Sequence, residues 1–282
     1  MATTTLEKTL VDPGVTDVVD RRVVRRRLGP GRRIPFGLAI GPVLLVALWC
    51  VASATGALDP RTLSEPWVVV RTAAELVETG RLQEALVTSA VRAFAGLGLG
   101  VAVGTLLAVV SGLSRLGEAL IDGPVQVKRA IPSLALMPLL ILWLGIGEEM
   151  KIITIALGVL IPVYIHTHNG LRSIDGRYAE LAETVGVSRG RFVRSVVLPG
   201  AMPGFLLGMR FAVTTSLLSL VVVEQINATS GIGHMITLAS SYGQTEIIVV
   251  GLVVYALLGL AADTTVRLIE RKALAWRRTL GN

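Results

Sequence analysis

The chain has 282 residues, 52% hydrophobic and only 17% charged, where an ordinary soluble domain carries about 25% charged residues. Its net charge of +7 would point to nucleic acid in a soluble protein. A mean hydropathy of +0.67 and the placing of the basic residues point to a membrane instead, and no nucleic-acid partner is expected.

Cys50 is the one cysteine, so neither an intrachain disulfide nor a thiolate metal site can form. His166, His168 and His234 do not supply a metal site either, and no cofactor is expected.

Residues 1–33 hold eight Lys/Arg and read as a disordered basic tail ending at Gly29-Pro30-Gly31. They do not read as a cleavable signal peptide, because the apolar run that follows is too long for one. Arg21-Arg22 resembles a twin-arginine signal only weakly. A spanning helix needs ~20 apolar residues. The uncharged runs 34–58, 93–114, 130–147, 152–171 and 247–262 reach or approach that length. A sixth span, about 201–223, is interrupted only by Arg210. Unpaired backbone cannot sit in lipid, so all six are expected to be helices. The expected fold is therefore all-α and polytopic, with about six transmembrane helices.

Residues 59–92 read as an external connector. Its Trp67-Val68-Val69-Val70 and Ala73-Ala74-Glu75-Leu76 suggest a helix on the membrane surface, with Trp67 at headgroup level. In span two, about 91–112, Gly96, Gly100 and Gly104 follow a small-xxx-small pattern, suited to close packing within the chain or across a dimer. Span three contains Pro132 and Pro138 and should be bent or broken. Such a break is tolerated only against protein or a water-filled cavity. Span four carries Pro162. Residues 225–245 are polar but uncharged and read as a re-entrant or external loop.

The basic residues alternate from loop to loop. The tail and the segments 115–129, 172–194 and 263–282 hold 21 of the 27 Lys/Arg. By the positive-inside rule both termini are cytoplasmic.

The loop 172–199 is cytoplasmic and amphipathic. Tyr178, Leu181, Ala182 and Val185 recur at helical spacing on one face, with Glu180 and Glu183 elsewhere. Ser173 or Asp175 can cap the start, and Gly186 suits a left-handed stop. Ser188 can cap a second helix in which Phe192, Val193, Val196 and Val197 share a face. Arg189, Arg191 and Arg194 take the other side. Pro199 and Pro203 then redirect the chain into span five. On physics alone the pair either floats on the bilayer or docks on a partner.

Glu180-Leu181-Ala182, Gly186, Val196 and Leu198-Pro199 resemble the EAA motif of binding-protein-dependent ABC transporter permeases, EAA-x3-G-x9-I-x-L-P. All spacings are kept. Leu181 stands for the middle Ala and Val196 for Ile. The stretches RAIPSLALMPLLILWLGIGE, NGLRSIDGRYAELAETVGVSRGRF, VVLPGAMPGFLLGMR and LVVVEQINATSGIGHMI extend the resemblance to the sulfonate/nitrate/taurine branch over about residues 84–278. The resemblance implies a MetI-like permease core at 84–278, preceded by a first helix and external connector at 34–83. It implies a permease subunit in the plasma membrane, working with ABC ATPase subunits, an external solute-binding protein and, as a homodimer, a second copy of itself. It implies that Tyr178, Glu180, Leu181, Ala182, Val185, Gly186, Leu198 and Pro199 form the coupling element. The cargo would be a small organic anion such as an aliphatic sulfonate, taurine or nitrate.

The sequence carries no G-x4-G-K-[ST] phosphate loop, so ATP hydrolysis is expected from another polypeptide and no catalytic residue is assigned here. Ionisable groups in a span are functional candidates. Arg210 is near enough to the inner face to snorkel. Glu224, Gln225 and Asn227 lie where span five meets the external loop, the family's outer gate. Ser216 and Ser219 precede them, candidates for the pathway or for bonds to their own backbone. An ion-coupled secondary transporter would show buried carboxylates mid-span, and a membrane enzyme a His/Asp/Glu or Ser/His cluster at one face. The sequence suggests neither.

Overall fold

The computed structural model describes residues 37–276; the basic tail 1–33 lies outside them. The described residues fall into two units divided between Ala47 and Leu48. In the first, residues 37–47 open the helix α1 (Gly37–Ala54); the second carries the remainder.

Every regular element among the described residues is a helix. After α1 come α2 (Pro66–Glu78), α3 (Arg81–Leu113) and α4 (Arg115–Ala130). A 3-10 turn (Ser133–Leu136) leads into α5 (Met137–Leu144), then α6 (Glu148–Arg172), α7 (Arg177–Thr184) and α8 (Arg189–Phe192). A π-turn (Val193–Val197) joins α8 to α9 (Leu198–Asn227), and α10 (Ile232–Ser241) and α11 (Thr245–Ala273) are the last elements among the described residues. The long helices α3, α6, α8–α9 and α11 can each cross a membrane, and α4 with the helix after it forms a fifth, broken candidate bent by 91°.

Within a bilayer, lipid tails are as apolar as leucine, so helices associate by close packing rather than by hydrophobic burial. The sequence supplies small residues for that purpose. The buried stripe of α3 reads Ala85, Ser89, Arg92, Gly96, Gly100, Gly104, Ala108, Ser111. Along it α3 lies against α6. A Cβ at Gly96 would stand 2.6 Å from Ile155, and one at Gly100 2.6 Å from the Ala156 carbonyl. The opposite side of α6 packs on α9 in the same manner, with Gly204 facing the His166 carbonyl and Gly170. Gly96, Gly100 and Gly104 therefore serve packing within the chain.

Two sequence expectations need adjusting. Span two starts twelve residues earlier than the uncharged run suggests, because Arg81–Arg92 belongs to α3. The 225–245 stretch holds α10, whose Ile232, Met235, Ile236 and Ala239 are buried against α2, α3 and α11. The expected surface helix is α2, with Trp67 half exposed.

The break after α4 falls at Ile131-Pro132. Ile131 is extended at φ −96°, ψ 118°, as a residue before proline prefers, and Pro132 opens the 3-10 turn. Pro138 sits in the first turn of α5, where its missing N–H is no loss. Pro199 and Pro203 do not end a helix. The chain is helical without interruption over Arg189–Ile226. The π-turn immediately before Leu198-Pro199 absorbs the proline ring, which would clash with a carbonyl of the preceding turn.

Candidate functional sites

Three places combine unusual chemistry with defined geometry: the face of α7, a buried ion cluster at the α10 end of the bundle, and a cavity between α4, α6 and α9.

At the α7 end, Asp175 Oδ1 accepts from the Arg177 amide and starts the helix. Its stop is a Schellman motif: the Gly186 amide donates to Glu183 O at 3.1 Å and the Val187 amide to Ala182 O at 2.8 Å. Gly186 has φ +74°, a conformation glycine adopts without strain. The turn folds α8 back on α7 to leave a groove of about 360 Å³, walled by Tyr178, Leu181, Ala182 and Val185 on one side and Phe192 and Val196 on the other. Tyr178, Leu181 and Val185 are 57%, 61% and 70% exposed, so the apolar stripe seen in the sequence is left largely uncovered among the described residues. Glu180 is exposed outside the groove. Leu198 and Pro199 open α9 and do not wall it. Ser188 has the extended backbone of an N-cap but makes no side-chain cap bond.

The far side of this loop is tied down. Val197 packs with Leu171 and Ala201, and Phe192, Val193 and Ile174 join them. Arg189 donates to Leu113 O, the last residue of α3, at 3.1 Å. The α7–α8 turn is thereby packed against the start of α9 and the end of α3.

At the α10 end, Arg92 and Glu224 are each 1% exposed. Arg92 spends all five N–H groups. Two reach Glu148 as a fork at 2.6 and 2.7 Å, one reaches Glu224 Oε1 at 2.7 Å, and two reach Ser230 O and Oγ at 2.7 and 3.0 Å. Glu224 also receives Ser89 Oγ at 2.8 Å, and the Gly233 amide and Tyr255 hydroxyl at 2.9 Å each. Lys151 adds a bond to Glu148 at 2.7 Å. The cluster thus joins α3, α6, α9 and α11 to the N-terminus of α10, where free amides favour a carboxylate. Sequence reasoning missed Arg92 and Glu148. Glu224 is buried in the last turn of α9, not mid-span, and its oxygens are fully engaged by protein donors. Gln225 is exposed and Asn227 is the last residue of α9. Arg210 lies 3.4 Å from Asp263.

The cavity has a volume of about 580 Å³ and lies along the broken span. Lys128, Arg129, Ser133, His166, Thr215 and Ser219 supply its polar wall. Lys128 Nζ donates to Ser133 Oγ at 2.6 Å and to Leu157 O at 2.5 Å. Of the two serines on α9 singled out from the sequence, Ser219 lines this cavity, whereas Ser216 turns to α3 and donates to Ala93 O at 3.3 Å.

The comparisons with known proteins agree with this architecture. Residues 100–274 match the family model described as binding-protein-dependent transport system inner membrane component. The chain is 44% identical to a candidate aliphatic sulfonates transport permease protein of Escherichia coli (strain K12), over 83% of this chain and 89% of the relative. It is 37% identical to its namesake in Bacillus subtilis (strain 168), over 90% and 92%. Identity to the Escherichia coli (strain K12) taurine transport system permease protein is 27%, over 93% and 97%. A chain in the crystal structure of an amino acid ABC transporter with histidines shares the fold at TM-score 0.61 and 18% identity, covering 71% of this chain and 97% of that one. The chain belongs to the binding-protein-dependent transport inner-membrane components, the multi-pass permease subunits of ABC importers.

Proposed function

We propose that this permease moves a small organic anion, an aliphatic sulfonate or a chemical neighbour such as taurine or nitrate, and is driven through α7 by a cytoplasmic ATPase subunit. The names of the relatives support the cargo. The observation that carries the coupling role is the unpartnered stripe of Tyr178, Leu181 and Val185 on a helix closed by Gly186. An exposed apolar face of this kind marks a docking surface. The concentration of Lys/Arg in the α7 loop and the terminal segments supports a cytoplasmic place for that end and for both termini. The α10 end, with its buried ion cluster, then faces the external binding protein.

The working unit is a homodimer with two ATPases, one on each α7. Closure of the ATPases draws the two α7 helices together. Because α8 and α9 form one helix, the displacement travels to the wall of the cavity, which opens alternately to the two sides. Ser219 stands on that wall; Glu224 fastens the outer end and does not meet the cargo.

The test is crosslinking. With Cys50 replaced by Ala, Leu181→Cys should crosslink to a cysteine on the ATPase groove in the intact complex, whereas Glu65→Cys at the opposite end should not. Failure of every α7 position to crosslink, with the complex assembled, would remove the coupling assignment.

A further inference from the structure

We propose that the cavity between the α4–α5 break, α6 and α9 is an oxyanion subsite, in which Lys128, Ser133 and Ser219 hold the head of an alkyl sulfonate and the apolar wall holds its short tail. This deepens the reading above by placing the cargo at named side chains, but it stands on separate observations.

The first is charge. Among the described residues, the ionisable side chains lining the cavity are Lys128, Arg129 and His166, with no Asp or Glu. In low dielectric such one-sided charge focuses a field that attracts anions. The second is convergence. Lys128 uses two of its three N–H groups on Ser133 Oγ and Leu157 O, which fixes the ammonium and leaves one donor. Ser133 accepts that bond, so its own hydrogen is available. Both hydroxyls meet over Gly158, where a Cβ would lie 2.9 Å from Ser219 Oγ and 3.9 Å from Ser133 Oγ. Glycine there keeps the floor of the cradle open. The bend at Ile131-Pro132 swings Ser133 toward Lys128, only five residues before it. The third is the remaining wall of Ile131, Leu134, Ile161, Ile165, Phe211 and Leu218, which offers nothing to a fully hydrated inorganic ion but suits a few methylenes.

The experiment uses the reconstituted complex in zwitterionic lipid, with Ser219→Cys in a Cys50→Ala background. Thiol labelling is followed with an anionic and a cationic methanethiosulfonate reagent of similar size. The anionic reagent should react about tenfold faster, and adding Lys128→Gln should bring the two rates together. Ethanesulfonate should protect the thiol at lower concentration than inorganic sulfate does. Equal rates for the two reagents, or a preference indifferent to Lys128→Gln, would overturn the subsite. Equal protection by sulfate would overturn the role of the apolar wall. Protection by an anionic lipid alone would assign the site to headgroups and overturn the cargo reading. Should Lys128→Gln fail to assemble, Gly158→Ala serves instead: it narrows the cradle and should lower ethanesulfonate protection.

Uptake of ethanesulfonate by the wild-type complex separates this proposal from the one it deepens. Selective labelling without uptake supports the subsite and counts against the assigned cargo. Uptake with unselective labelling leaves the cargo in place and removes the subsite.

Discussion

Arg92 Nη1 lies 2.7 Å from Glu224 Oε1 across 132 residues of chain, with both side chains almost wholly withdrawn from solvent. Each carries a full complement of further bonds, so neither charge is stranded. Removing one partner does strand the other, at about 3–5 kcal/mol. Arg92→Leu should therefore lower the melting temperature of the purified complex steeply. Arg92→Lys should recover little, because an ammonium cannot fork onto Glu148. Arg92→Leu combined with Glu224→Leu should recover part of the loss, since the uncompensated charge is gone. Differential scanning fluorimetry of the three variants checks the order. A double variant no better than Arg92→Leu alone would mean the pair is not the clasp of this end.

Glycines two residues apart on α3 should respond in opposite ways. Gly98 has nothing within 4 Å of where a Cβ would stand, whereas a Cβ at Gly100 would meet the Ala156 carbonyl at 2.6 Å and Val159 at 2.7 Å. Gly98→Ala should be neutral or stabilising by about 0.5–1 kcal/mol, through helix propensity alone. Gly100→Ala must push α3 from α6 and should lower both melting temperature and yield. Similar melting temperatures for the two variants would show that small residues do not set this helix contact.

Uncharged runs locate the membrane helices well, since lipid permits little else. They locate ends poorly, and Arg92 shows why. A charge looks like a boundary, yet here it is neutralised by Glu148 and Glu224, from 56 and 132 residues away, and no local pattern reports such a pairing. A signal was nonetheless present. The small-residue stripe from Ala85 to Ala108 passes through position 92, which puts that arginine on the packed face. Likewise Ile232, Met235, Ile236 and Ala239 have the spacing of one helix face, although the polar residues around them suggested a loop. The cavity was less legible. Lys128 belongs by sequence to a polar connector, and only the break at Pro132 brings it to Ser133 and Gly158. By contrast the α7 face was legible in full, because helix, apolar stripe and glycine stop are all local features.

Leu181 offers a test of that face which spares the fold. It is 61% exposed and walls the groove, so Leu181→Asp removes little packing among the described residues. The variant should purify with unchanged melting temperature as the isolated permease but lose ATPase subunits on size exclusion. Glu180→Gln, outside the groove, should retain them. Loss of a hot-spot residue at the centre of an interface typically costs 2 kcal/mol or more, about a thirtyfold drop in affinity. ATPase retained at wild-type stoichiometry by Leu181→Asp would place the docking surface elsewhere.

Under the proposed coupling, a change at Gly186 should separate holding the ATPase from transmitting its stroke. The Gly186 φ of +74° costs a side-chain-bearing residue about 1–2 kcal/mol. Among the described residues no atom lies within 4 Å of the Cβ position, so the penalty for a Cβ there is backbone strain. Gly186→Val, β-branched and poorly suited to this conformation, should unwind the Schellman turn and release the Gly186 and Val187 amides from Glu183 and Ala182. The apolar stripe upstream survives, so the ATPase still binds. What is lost is the fixed angle between α7 and α8, through which displacement reaches the helix beyond. Uptake in proteoliposomes and stimulation of ATP hydrolysis by the loaded binding protein should both fall, while copurification of the ATPase persists. Gly186→Asn, which tolerates the left-handed region better, should lie between the two. Wild-type stimulation in Gly186→Val would mean that the stroke enters this chain by a route other than the hinge.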